Sequence, residues 1–189
     1  MRSKQWRNIA IFLAILVVIY LFTQLQESRY TTPSDAVFDI DRDDVSRFIV
    51  QEGDRQIELV RWDTLWVVPG QEDKQVREFR INNLLNTVLT VERESMISDN
   101  PEKWVTYGVD DSTGRQFQVY DLSGEPAEHV IVGRSSTNWQ SSYLREAGSD
   151  EVFLTTRNIY YSLSTDTSFW LEPLPEPEEE APADTTADV

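Results

Sequence analysis

Fourteen residues, Ser141 to Leu154 (SSYLREAGSDEVFL), gather three serines, an arginine and three acids, with His129 a short way upstream. Ser-His-Asp chemistry needs an imidazole to take the serine proton and a carboxylate to orient that imidazole. His129 is the one histidine in the chain, so any triad built on Ser141 or Ser142 must use it as base. Neither serine stands in a Gly-x-Ser-x-Gly turn, the local geometry that presents a hydroxyl as a nucleophile. The alternation through Tyr143-Leu144-Arg145 and Val152-Phe153-Leu154, around the turn-forming Ala147-Gly148-Ser149-Asp150, reads instead as a β-hairpin. Its serines and acids are expected on turns and on the solvent face, and no catalytic residue is assigned.

Metal and cofactor chemistry fares no better. Asp39, Asp41, Asp43 and Asp44 begin like a calcium loop, but the sixth position is Asp44 where Gly is required and the twelfth is Val50 where Glu is required. Asp110-Asp111 before Ser112-Thr113-Gly114 reads as a turn. The seven glycines are scattered and form neither a phosphate loop nor a dinucleotide fingerprint. No metal and no cofactor is therefore expected. Thirty-three acids make a pair of carboxylates for glycan hydrolysis easy to assemble, although no pair stands out. Arg134, Arg145 and Arg157, near Trp139 and Tyr143, form a candidate interaction face, because guanidinium groups both pair with anions and stack on aromatic rings. The competing reading is arginine that balances an acidic surface.

These residues need a scaffold. Val45–Gln51, Arg55–Trp62 and Leu65–Pro69 are rich in β-branched and aromatic residues and are separated by Glu52-Gly53-Asp54 and Asp63-Thr64, so they read as adjacent strands. VREFRINNLLNTVLTV then places Ile81, Leu84, Leu85 and Val88 at helical spacing. After a loop containing Pro101, Arg115–Leu122 and His129–Gly133 form a second hairpin, the opening stretch forms a third, and RNIYYSL reads as a weaker helical piece. The fold class is α+β: mostly antiparallel strands, one main amphipathic helix, and a repeated strand-strand-helix order that suggests a duplicated unit.

The chain has 189 residues, no cysteine and a net charge of −16, with 40% hydrophobic residues, enough for one domain with a core. Residues 1–30 carry a net +3 and the remainder −19. That body repels phosphate backbones, so nucleic acid is not an expected partner. Arginine outnumbers lysine fourteen to three, which fits either a salt-rich habitat or an arginine-rich genome.

Three cations precede an unbroken apolar run from Ile9 to Phe22. With Leu25 at its edge, the run approaches the ~20 residues of a membrane-spanning helix. A cleavable signal peptide is the rival, but the residues after the run, Thr-Gln-Leu-Gln-Glu-Ser-Arg-Tyr, offer no small-x-small cleavage site. The basic flank keeps the N-terminus inside the cell. The expected organisation is a cytoplasmic N-terminus (1–8), a transmembrane anchor (9–25) in the inner membrane, a stalk (26–37), an extracytoplasmic domain (38–171) and an acidic, proline-rich disordered tail (172–189). Membrane lipid, through the anchor, and other envelope proteins are the expected partners.

The ordered series Trp66-Val67-Val68-Pro69, the amphipathic helix, Tyr107-Gly108-Val109-Asp110, Val130-Ile131-Val132-Gly133, Tyr143-Leu144-Arg145 and Val152-Phe153-Leu154 resembles the domain-of-unknown-function family numbered 4340. The resemblance covers about residues 38–171. It implies a membrane-tethered protein facing the envelope, some members resembling auxiliary subunits of ABC-type transport systems linked to gliding motility, and it brings no catalytic residues. Bottom-up, the same signature positions have structural explanations: Gly108 permits a turn with positive φ, Gly133 ends a strand, and Trp66 and Pro69 pack and terminate an edge. The expected function is a non-enzymatic extracytoplasmic accessory module of a membrane complex. The alternatives are a glycan hydrolase using paired carboxylates and a calcium-stabilised module.

Overall fold

The computed structural model describes residues 36–174. The expected cytoplasmic segment and anchor, nearly all of the stalk, and the tail from residue 175 lie outside the described residues. No helix among the described residues is long and apolar enough to cross a membrane.

Apolar, β-branched segments joined by tight turns form one eight-stranded antiparallel sheet. Its strands are β1 (Val45–Glu52), β2 (Arg55–Trp62), β3 (Leu65–Val67), β5 (Arg93–Ser98), β6 (Arg115–Asp121), β7 (Pro126–Arg134), β8 (Ser142–Glu146) and β9 (Val152–Thr155). Their order is β3-β2-β1-β6-β7-β8-β9-β5. Two meanders, β1-β2-β3 and β6-β7-β8, thus meet through their first strands. β4 (Lys74–Val76) and β10 (Leu171–Pro173) form a separate two-stranded ribbon.

Strand register decides which side chains share a face. Leu59, Phe48 and Val119 lie in one row, and Ile57, Val50, Phe117 and Val130 in the next, all buried. Phe48 stacks between Trp66 at 5.0 Å and Phe117 at 5.6 Å. Ile81, Leu84, Leu85 and Val88 cover this face, as the helical spacing predicts. The covering helix is not uniform. α1 (Glu78–Asn83) passes into a π-helical stretch, Leu84–Val88, where Leu89 N–H donates to Leu84 O at 3.1 Å. The wider turn keeps Leu84, Leu85, Val88 and Leu89 all inward.

The opposite face is covered over half its width. A short segment, a 3-10 turn (Pro101–Lys103) running into α2 (Trp104–Tyr107), packs with Val109 on Ile131, Tyr143 and Val152. Over β1, β2 and β6 this face is open and polar, with Arg47 paired to Glu58 and lying 3.7 Å above the Tyr120 ring. An antiparallel sheet tolerates one wet face in this way.

Several expectations are corrected here. RNIYYSL is not a helix of its own: Tyr160–Ser162 is a 3-10 turn, and the nearest α-helix is α3 (Thr167–Trp170), whose Trp170 is buried with its indole N–H on Ser164 O at 2.7 Å. β4, β5 and β10 are strands the sequence pattern did not announce. Structure also reaches past residue 171, because β10 pairs Glu172 and Pro173 with Gln75 and Lys74. Within the expected stalk, Val37 is buried and Ala36 bridges Glu92.

Candidate functional site

The opening stretch is a hairpin, β8 to β9, but its serines are not on the solvent face: Ser141 and Ser142 are buried. Ser142 Oγ accepts the backbone N–H groups of Ile159 and Tyr160 at 3.0 and 3.1 Å and donates to Asn158 Oδ1 at 3.2 Å. Those bonds occupy the hydroxyl and fasten the chain after β9 to the start of β8. Ser142 pairs with Arg134, five positions beyond His129 on β7. His129 therefore stands about 16 Å away along the strand and on the other face of the sheet, out of reach as its base. Half-buried His129 bonds Gln116 at 3.1 Å. Burial lowers its pKa, the Asp111 carboxylate opposes that, and Arg145 adds to the lowering.

The segments tied by Ser142 form the most distinctive surface of the molecule. No acid occurs from His129 to Arg145 or from Val152 to Thr165, in a chain with 33 of them. The β7–β8 loop is held by several hydrogen bonds. Asn138 N–H donates to Ser135 Oγ, Gln140 N–H to Asn138 Oδ1, Asn138 Nδ2 to Ser141 Oγ, and Asn158 Nδ2 to the Trp139 carbonyl at 2.7 Å. This cradle leaves the Trp139 side chain outside: the residue is 79% exposed. Arg134 and Arg157 are exposed beside it, with Arg134 over the ring of Tyr161, itself 57% exposed. Neither guanidinium is held in a salt bridge among the described residues. Glu92, bonded to Thr156, marks the margin of this patch, and Glu52, bonded to Tyr160 OH, is neutralised by Arg115 and Arg55.

Two members of the expected interaction face do not belong to it. Arg145 is 1% exposed and Tyr143 is 6% exposed, because the α2 segment lies over both. Arg145 donates to Val109 O at 2.9 Å and Ser149 O at 3.2 Å, pairs with Asp111, and lies 3.8 Å from the Trp104 ring centroid. Tyr143 packs edge-on against Tyr107 at 4.9 Å. Tyr161, in contrast, joins the patch unannounced, since RNIYYSL looked helical. The run without acids was the signal that could have found it.

The signature residues divide into two groups. Trp66 and Pro69 belong to the β3 edge, Trp66 by stacking on Phe48 and Pro69 by opening the turn after Val68. Tyr107, Gly108 and Gly133 meet on the covered half of the second face. Gly108 closes α2 at φ 64°, the left-handed region that favours glycine. Gly133 lies within β7 and does not end it, and a Cβ there would stand 2.0 Å from Tyr107 O, so its bare backbone is what lets α2 dock. Asp110, 9% exposed, caps the following turn. Its carboxylate accepts from Ser112 N–H and Oγ and from Thr113 N–H and Oγ1. Burial alone would raise its pKa, but these bonds bring it down to about 2.

Of the acids at residues 39–44, Asp39, Asp41 and Asp44 line a shallow pocket with Asp121, and Asp43 does not. Asp121 caps its own turn through Ser123 and Glu125. Among the described residues no three ligating side chains converge on a point where a metal ion would sit.

The fold and this surface define a class: an acidic, antiparallel α+β sheet domain with one exposed patch of arginine and aromatic side chains, carried on two segments without acids. More particularly, the chain belongs to the family described as Domain of unknown function (DUF4340), whose model matches residues 66–179. The match begins in β3, so β1 and β2 precede it although β1 is central in the sheet. No curated protein and no solved structure matches the chain.

Proposed function

We propose that this protein is a single-pass, inner-membrane-tethered accessory module. Its N-terminus faces the cytoplasm, its sheet domain lies across the membrane, and it serves a membrane complex such as a transporter by binding rather than by catalysis. The observation that carries this reading is the exposed Arg134, Trp139, Arg157 and Tyr161 on two segments without acids, in a chain of net charge −16. A rigid loop that holds a tryptophan in water loses little freedom on binding, which is what a preformed interaction surface requires. The apolar run at 9–25 with its basic flank supports the tether. Two meanders joined through their first strands support reading the domain as a duplicated unit.

The test joins a compartment reporter, fused after residue 175 of the full chain, to a turnover assay on cell-wall fragments. Reporter activity outside the cytoplasm with no turnover is expected. A cytoplasmic reporter would overturn the envelope role. Turnover abolished by a single carboxylate substitution would replace the accessory module with a glycan hydrolase.

A further inference from the structure

We infer that the arginine and aromatic patch around the Trp139 loop is a seat for anionic phospholipid headgroups, so that the domain rests on the bilayer that anchors it. This inference rests on the tethered reading above. Three observations carry it.

The first is side-chain chemistry. The exposed apolar groups of the patch are Trp139 and Tyr161, rings with a polar edge, and the neighbouring exposed loop residues are Ser136, Thr137 and Gln140. Tryptophan and tyrosine favour the headgroup level of a membrane. Hydroxyls, amides and guanidinium groups donate to phosphate oxygens.

The second is charge. A body carrying −19 is repelled by an anionic surface within about 8–10 Å, the screening length at physiological salt. Arg134 and Arg157, exposed, outside any salt bridge among the described residues and with no acid in their own segments, offer local attraction where the rest of that body is repelled.

The third is position. β7 runs about 30 Å, with the Ser123–Glu125 turn at one end and the Trp139 loop at the other. The N-terminal segment joins the described domain at Ala36, which bridges Glu92; Glu92 O accepts from Thr156 N–H, next to Arg157, and Asn158 holds the Trp139 carbonyl. The chain thus arrives from its apolar run on the side of the molecule that carries the patch.

The absence of native cysteine makes single-cysteine spin labels clean. Full-length variants Ala14→Cys, Gln140→Cys and Glu125→Cys would be reconstituted into vesicles of phosphatidylcholine, with or without an equal part of phosphatidylglycerol, and label depth read by collision with oxygen against a water-soluble nickel chelate. The expected result places label 14 in hydrocarbon, label 140 at headgroup depth on the anionic vesicles, and label 125 in water. Adding Arg134→Glu and Arg157→Glu should return label 140 to water and leave label 14 in place. Label 14 in hydrocarbon with label 140 in water on both vesicles would overturn the lipid seat and spare the tether. If, in that case, a photo-crosslinker at 139 captures protein in native membranes, the patch docks a protein instead. Label 14 in water would overturn the tether and the seat with it.

Discussion

Asp110 and Glu128 show how one side-chain type takes opposite roles in a single sheet. Asp110 collects four donors, and its folded pKa of about 2 lies below the ordinary 3.8. A carboxyl with a depressed folded pKa stabilises the fold fully above its unfolded value and loses that contribution as pH falls through the folded one. The urea midpoint should therefore fall between about pH 4 and pH 2, and Asp110→Asn should flatten that limb. Asp110→Ala should cost about 2 kcal/mol at pH 7, because the turn loses its hydrogen bonds to a charged acceptor. Glu128 lies the other way. Burial raises its pKa, the nearby Glu146 raises it further, and Arg93 opposes both. Its charged form is disfavoured in the fold, so stability rises as pH drops through its folded pKa. Glu128→Gln should raise Tm at pH 7 and raise it by less as the pH falls into the carboxyl range, where the native glutamate takes up a proton. An equal gain across that range would mean the charge is not what the site resists.

At the level of elements, α2 is held by one arginine and one missing side chain. Arg145→Ala removes the donor to Val109 O and Ser149 O and the cation above Trp104, and should cost about 3–5 kcal/mol in denaturant unfolding. Its partner Asp111 has a side chain 71% exposed, so Asp111→Asn should cost no more than about 1 kcal/mol. Similar losses from both would show that the ion pair, rather than the carbonyl clamp, holds the segment. Gly133→Ala drives a Cβ into Tyr107 O and should release α2, seen as faster amide exchange at Val109. These elements also show what local sequence can and cannot carry. The strands of both meanders and the buried stripe Ile81, Leu84, Leu85 and Val88 were legible, because period and turn residues act within a few positions. β5 was not, since register shifts at Arg93/Ser95 and Met96/Ser98 break its alternation. Ile159 and Leu163, buried four positions apart, imitate a helix while the chain between them makes only a 3-10 turn. Exposed Arg134, Trp139 and Arg157 could be picked out by residue type. The burial of Tyr143 and Arg145 could not, because their cover comes from Trp104–Val109, far upstream in the chain.

For the molecule as a whole, charge sets the response to salt. Ion pairs among the described residues engage Asp43, Glu52, Glu58, Asp111, Glu146 and Glu172, a minority of the acids in that part of the chain. Most carboxylates therefore repel one another across the surface, and that repulsion opposes the compact state. Raising sodium chloride shortens the screening length from about 30 Å at 0.01 M to about 3 Å at 1 M, which weakens repulsion between distant like charges more than attraction within a contact pair. Tm should rise over that range, most steeply at the low end, where screening rather than surface-tension effects of the salt dominates. The double variant Arg134→Glu and Arg157→Glu extends the negative field over the arginine and aromatic patch, so its Tm should lie below that of the native chain in low salt and converge on it at 1 M. A Tm that fell as salt increased would mean that the few ion pairs outweigh the collective repulsion. In that case the two segments without acids would be a local accident of composition, with no electrostatic contrast for a partner to read.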